Sequence, residues 1–281
     1  MTTSSDELVL ERGRAERHYW RDIWRYRELL YILAWRDISV RYKQTVIGLI
    51  WALIQPLSTM LVMTVIFGQV ARLPSEGSAP YAVMVYAAML PWQFFSTALA
   101  SASQSLVGNA NLISKVYFPR MLVPAGAVAT SFVDFVISFA ILVAMFVWFD
   151  IWPGVRLLTL PAFVFLAFLA ALGPGLLVTA LNVKYRDFRY VIPFVVQFGL
   201  YLSPVGFSSA VVRERFGDKL FVLYSLNPMV GVIDGFRWAI LGGESSVFWP
   251  GFLLSMLVVG LLLFVGVWYF RRTERTFADL I

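Results

Sequence analysis

Asp234 and Arg237 lie three residues apart in the stretch NPMVGVIDGFRWAIL, so they share one turn of any helix that forms there. A carboxylate beside a guanidinium at a membrane surface can take a proton or orient a phosphate, which is the equipment of a transferase acting on a lipid-linked glycan. The same spacing equally makes a structural ion pair. Asp134, in SFVDFVISF, is the only acid inside a long apolar run. Intramembrane carboxylates are functional candidates by default. One carboxylate is a poor proton relay, however, and a buried contact to a polar group on a neighbouring helix fits it as well as a coupling site. His18 is the only histidine, so no His/Glu metal spacing exists around it and it reads as a surface residue. No metal site is expected. The absence of cysteine excludes disulfides, thiolate metal sites and cysteine lipidation. No G-x-x-x-x-G-K-[ST] phosphate loop is present, so this chain cannot cradle ATP in that way.

The elements that must position these groups are dictated by composition. Of the 281 residues 59% are hydrophobic and only 14% charged, too few charges to wet the surface of an ordinary globular protein. The apolar residues arrive in runs close to the roughly 18 to 20 that a membrane-crossing helix needs, at 46–70, 81–100, 121–149, 157–183, 191–207 and 248–270. Strands of a barrel are shorter and alternate polar with apolar, which excludes one. The first residues are polar and the first long run begins only near Val46, so the first span is expected to insert uncleaved. The expected architecture is an all-α integral membrane domain of six transmembrane helices.

Charge placement orients it. Nine Lys/Arg precede Val46, interleaved with seven acids, which makes a mixed solvated segment and gives no reason to expect nucleic acid despite the net charge of +6. The connections then carry one basic residue (Arg72), two (Lys115, Arg120), one (Arg156) and three (Lys184, Arg186, Arg189), and Arg271, Arg272 and Arg275 follow the last span. By the positive-inside rule both termini are cytoplasmic.

A seventh apolar stretch, LFVLYSLNPMVGVIDGFRWAIL, is not read as a span. Asp234 and Arg237 near a span centre would each cost about 2.5–3.5 kcal/mol, and Asn227-Pro228 interrupts the helix where a span needs continuous hydrogen bonds. It is expected as part of a re-entrant or interfacial helical hairpin over about 208–241, which survives only where protein or a water-filled cavity surrounds it. Kinks are expected at Gln55-Pro56, Pro161, Gly173-Pro174-Gly175, Pro193 and Pro204. Before the first span, Tyr31, Trp35, Ile38 and Tyr42 recur on one helical face, which suits an amphipathic helix in the headgroup plane at 27–45, although a continuous extension of the first span has the same pattern. Residues 1–26 form a polar cytoplasmic extension and 271–281 a cytoplasmic tail, around a transmembrane domain at 46–270.

Aromatics make up 16% of the chain. Most suit interfacial belts and packing. Trp51, Gln55 and Thr59 share one face in the first run, and Phe194, Gln197, Phe198 and Tyr201 share one in the fifth. Rings mixed with hydrogen-bonding groups suit a sugar, and a helix-packing face accounts for the same spacing.

Five ordered motifs carry a resemblance: RDISVRYKQTVIGLIWALIQPL at 36–57, NLISKVYFPRMLVP at 111–124, NVKYRDFRYVIPFVVQ at 182–197, YLSPVGF at 201–207 and NPMVGVIDGFRWAIL at 227–241. From about Arg27 onward the chain resembles the membrane permeases of type-2 ABC transporters that export O-antigen, capsule and teichoic-acid chains. The resemblance implies a homodimer in the bacterial cytoplasmic (inner) membrane, docked on two ATPase subunits that hold ATP and Mg, with no cofactor in this chain. It implies that Asn111, Lys115, Tyr117, Phe118, Pro119 and Arg120 form the coupling surface gripped by the ATPase, with Tyr117 and Phe118 as apolar anchors and Lys115 and Arg120 as rim charges. Tyr185, Arg186 and Asp187 form a smaller second contact. The first and fifth spans line a channel for a lipid-linked polysaccharide, and Asn227, Pro228, Asp234 and Arg237 belong to the hairpin. An ion-coupled secondary transporter needs paired intramembrane charges and usually a repeat, and neither is visible.

Overall fold

The computed structural model describes residues 19–43, 46–152, 154–241 and 247–277. His18 and the rest of the first 18 residues, Gln44 and Thr45 at the end of the expected interfacial helix, and the tail from 278 lie outside them. Among the described residues the regular structure is entirely helical.

Two short helices, α1 (Tyr19–Arg25) and α2 (Arg27–Tyr42), precede the first long one, α3 (Val46–Met63), which continues as a wider π-helical segment over Thr64–Val70. α4 (Tyr81–Gly108) is followed by a short α5 (Ala110–Lys115). The long α6 (Leu122–Trp148) and α7 (Leu160–Lys184) come next, then α8 (Phe188–Leu202). α9 (Ser209–Tyr224) and α10 (Pro228–Leu241) form a hairpin, and α11 (Trp249–Thr273) ends the chain.

Among the described residues five helices are long and apolar enough to cross a membrane, counting α3 with its π-helical continuation. The fifth expected run, 191–207, is not one of them. α8 stops at Leu202, because Ser203 precedes Pro204 and takes an extended conformation, φ −102° and ψ 151°. The proline ring disfavours helical geometry in the residue before it. With 15 residues α8 is about 22 Å long, short of the roughly 30 Å of a hydrocarbon core. Pro161, expected to kink, sits in the first turn of α7, where its missing N–H has no intrahelical partner to lose.

α4 is the central pillar. Residues Val83 to Leu90 are all buried, as befits a helix that is apolar on every side and packed against α3, α6, α7, α8 and α10. α7 and α11 approach even more closely: a Cβ placed on Gly266 would lie 2.1 Å from the carbonyl oxygen of Gly173, and one on Gly173 would lie 2.6 Å from the backbone nitrogen of Leu263. Small residues at this crossing let two backbones touch, which is how helices associate when lipid offers no hydrophobic drive. Gly173, expected to mark a kink, is thus a packing residue.

The buried apolar residues form two clusters. The larger surrounds α4 with α6, α7 and α10. The smaller gathers Tyr19 and Leu33, Ile113 and Phe118 of the loop region after α4, Val183 at the end of α7, and Phe270 and Phe277 at the end of α11. This second cluster marks one end of the molecule, where most of the basic connections meet. The α9–α10 hairpin lies at the other.

Candidate functional site

At the basic end, the stretch expected to be a gripped surface divides in two. Asn111, Lys115 and Tyr117 are exposed. Tyr117 keeps half of its surface. Phe118 and Pro119 are buried, and Phe118 packs among Ile113, Leu122 and Phe277 in the smaller cluster. The expectation of Phe118 as an exposed anchor is therefore corrected: after α5 the chain leaves Val116 and Tyr117 exposed and then bends at Phe118, which buries Phe118 and Pro119. Arg120 is corrected too. Its backbone N–H donates to Glu274 Oε1 at 2.7 Å and its guanidinium donates to the Glu274 carbonyl oxygen, so it fastens the loop and is not a free rim charge. Glu274 Oε2 accepts from the Tyr19 hydroxyl at 2.8 Å. One carboxylate after α11 thus ties the coupling loop to α1. Glu274 drew no notice in the sequence, because its partners are 154 and 255 residues away.

Tyr185, Arg186 and Asp187 are all exposed on the connection from α7 to α8, at the same end. Arg36 of α2 donates to Asn109 Oδ1 at 2.8 Å, just before α5, so α2 is also linked to the loop region.

Asp134 gains the partners that the sequence could not assign. Arg41 and the Tyr42 hydroxyl, at the end of α2, both hydrogen bond to its carboxylate in α6. Of the aromatic face expected on α2, Tyr31 and Trp35 stand exposed and stacked, with ring centroids 6.3 Å apart. Ile38 is half-buried, and Tyr42 turns its hydroxyl toward Asp134.

The two mixed faces are open. Trp51 and Gln55 on α3 are exposed and Thr59 is half-buried, its hydroxyl bonded back to the Gln55 carbonyl at 3.0 Å. On α8, Phe194, Gln197, Phe198 and Tyr201 are all exposed, and the Phe194 and Phe198 rings lie 4.2 Å apart. Phe194 and Phe198 also line an apolar groove of about 550 Å³ with Trp92 of α4 and Asn227 and Pro228 at the hairpin tip.

At the hairpin end, Arg237 is completely buried. Its guanidinium donates to the carbonyls of Phe207 (2.9 Å), Val205 (3.1 Å) and Met84 (3.3 Å), and to Glu76 Oε1 (3.3 Å). Arg237 therefore pairs with Glu76 in the α3–α4 connection. No ion pair joins it to Asp234, against the expectation of a reactive or structural pair between them. The three carbonyls explain why an arginine stands here. The chain after α8 is irregular, and its orphan acceptors need donors where no water reaches. Asp234 is buried with Oδ1 lacking a partner. Burial pushes its carboxyl up to about 7, with Arg237 pulling it down and Glu76 adding to the rise. Asn227 caps the hairpin tip, accepting from the Met229 N–H at 3.0 Å and donating to Ser203 Oγ at 2.9 Å.

Among the described residues the chain is helical, with five helices of membrane length, and Arg237 is closed off by backbone carbonyls and Glu76 with no bond to Asp234, so a transferase built on that pair is not favoured. Residues 28–241, three quarters of the chain, match the ABC-2 type transporter family, and the chain belongs to it. It is similar to the O-antigen export system permease protein RfbA of Myxococcus xanthus, 24% identical over 217 residues, covering 77% of this chain and 82% of that protein. An O-antigen export system permease protein RfbA of Klebsiella pneumoniae is 24% identical over 266 residues, covering 90% and 95%. The polysialic acid transport protein KpsM of Escherichia coli is 24% identical over 247 residues, covering 85% and 91%.

Proposed function

We propose that the chain is the membrane permease of an ATP-driven exporter that moves a lipid-linked polysaccharide across the bacterial cytoplasmic membrane. The names of its relatives support the substrate class. The observation that carries the mechanism is the exposed pair of faces on α3 and α8, where rings and amides point away from the helices of their own chain.

Two copies meeting on these faces form a channel lined by Trp51, Gln55, Thr59, Phe194, Gln197, Phe198 and Tyr201. A sugar chain longer than the membrane is thick advances through it in repeated strokes. Weak stacking on successive rings suits this better than one tight site, because each contact is made and broken many times. The α8 segment crosses as the sixth span together with the irregular residues 203–207, and the α9–α10 hairpin is re-entrant from the outer side. α2 lies at the cytoplasmic headgroup plane. Each subunit docks on a separate ATPase through Asn111, Lys115 and Tyr117, with Tyr185, Arg186 and Asp187 as a second contact. ATP closure draws the two coupling loops together, and Glu274 and the Arg36–Asn109 bond pass the motion to α11 and α2.

Purification from native membranes in mild detergent tests this reading. The expected result is an ATP-hydrolysing partner at one per chain, lost on Tyr117→Ala; a chain that purifies alone and never affects ATP turnover overturns it. Because the chain has no cysteine, single cysteines at Trp51 or Phe198 report the dimer directly, by disulfide cross-linking between copies.

A further inference from the structure

The last turn of α11 and the start of α1 enclose a cavity of about 640 Å³ that plays no part in the transport reading. Its upper wall is Arg271, Arg272 and Arg275. Phe264, Val267 and Trp268 form its floor one to two turns back along α11, and Trp20 of α1 closes one side. Among the described residues no carboxylate lines it. Among the described residues none of the three arginines is in an ion pair. The nearby acid, Glu274, is occupied by the Tyr19 hydroxyl and the Arg120 N–H. Two of the arginines are held by rings instead: Arg271 stands 4.6 Å over Tyr19 and 6.0 Å from Trp20, and Arg272 stands 5.4 Å from Trp268. Cation–π contact fixes a guanidinium without neutralising it. The floor is open to the membrane, since Phe264 keeps 69% and Trp268 51% of their surface.

We infer that this cavity binds the headgroup of an anionic phospholipid, with the phosphate on Arg272 and Arg275 and the acyl chains along Phe264 and Trp268. Charge complementarity decides the class. Three arginines with no ion-pair partner among the described residues, above an apolar floor where a helix leaves the bilayer, fit a negative group that carries hydrocarbon chains. A zwitterionic headgroup brings its own cation into the same space, and a free anion makes no use of the floor. The lipid then bridges α1 to α11 beside the Glu274 contact to the coupling loop. The inference requires that α11 cross the bilayer and is independent of what is exported.

The experiment is native mass spectrometry and thermal unfolding of the full chain with its ATPase in detergent, after adding phosphatidylglycerol, phosphatidylcholine or inorganic phosphate. Phosphatidylglycerol is expected to be retained and to raise the unfolding temperature, and the other two are not. Each basic residue beside an anionic headgroup is worth roughly fivefold in affinity, so Arg272→Gln with Arg275→Gln is expected to weaken retention roughly thirtyfold. The Arg272→Lys, Arg275→Lys pair, which keeps the charge, restores most of it. Both arginines are exposed, so neither pair disturbs the core. Equal retention of phosphatidylcholine, equal stabilisation by inorganic phosphate, or phosphatidylglycerol retention unchanged in the glutamine pair overturns the inference. Co-purification of the ATPase is read in the same samples, which separates loss of the lipid site from loss of the transport complex.

Discussion

Each end of this molecule is fastened by one charged side chain, and the two fastenings differ in kind. At the hairpin end Arg237 is sealed from solvent and satisfies three backbone carbonyls and Glu76. At the basic end Glu274 is only partly buried and holds a tyrosine hydroxyl and an arginine. A buried charge whose partners are backbone groups has no alternative bonding and behaves as a permanent rivet. The Glu274 carboxylate is only part-buried and holds one hydroxyl and one backbone N–H, so water can replace its partners at small cost. The difference suits the proposed permease, in which the end held by Arg237 would stay fixed while the loop proposed to dock on the ATPase moves.

The comparison breaks most visibly at Arg237. Arg237→Met leaves the carbonyls of Val205 and Phe207 and the Glu76 carboxylate without their donor, and truncating one partner of a buried charge cluster costs about 3–5 kcal/mol. The expected outcome is loss of folded protein in detergent, read by thermal unfolding and gel filtration. Retention of a wild-type transition would show that the rivet is not needed.

Next in size is the contrast within the coupling loop. Phe118→Ala empties a core position and is expected to destabilise by about 3–5 kcal/mol. Tyr117→Ala, one residue away, is expected to change stability by less than about 0.5 kcal/mol while abolishing co-purification of the ATPase. Similar unfolding temperatures for the two variants would contradict the inward and outward assignment.

Glu274→Gln sharpens the contrast between the two fastenings. It weakens charge-assisted bonds to Arg120 and Tyr19, worth about 1–3 kcal/mol. Hydrogen exchange is expected to quicken at the amides of residues 116–121 and of α1, with residues 228–241 unchanged. The smallest effect is expected at Asp134. Its partner Arg41 remains largely exposed, and exposed ion pairs contribute about 0–1 kcal/mol, so Asp134→Asn lowers the unfolding temperature slightly and leaves ATPase docking intact.

Much of the architecture was legible in the sequence because a bilayer imposes length and polarity on whatever crosses it. Four of the six expected runs, 81–100, 121–149, 157–183 and 248–270, overlap single long helices. The fifth, 191–207, is only partly a helix, because apolar content sets the run whereas Pro204 ends the helix at Leu202. The shared faces of α3 and α8 were also visible, since side-chain spacing alone puts Trp51 with Gln55 and Phe194 with Phe198, whereas only the tertiary structure decided that they are not packed against a neighbouring helix of the same chain.

Partnership was not legible. Asp234 and Arg237 looked like a pair because they are neighbours on one turn, yet the bond goes to Glu76, 161 residues away. Tyr117 and Phe118 looked equivalent until the bend at Phe118 left one exposed and buried the other. The sequence by itself determined a helical, multi-pass membrane chain with its basic connections on one side, because those properties follow from the cost of putting polar groups in hydrocarbon. Only the tertiary structure decided which charges meet and which aromatics are covered, because such contacts join residues that are distant along the chain and near in space.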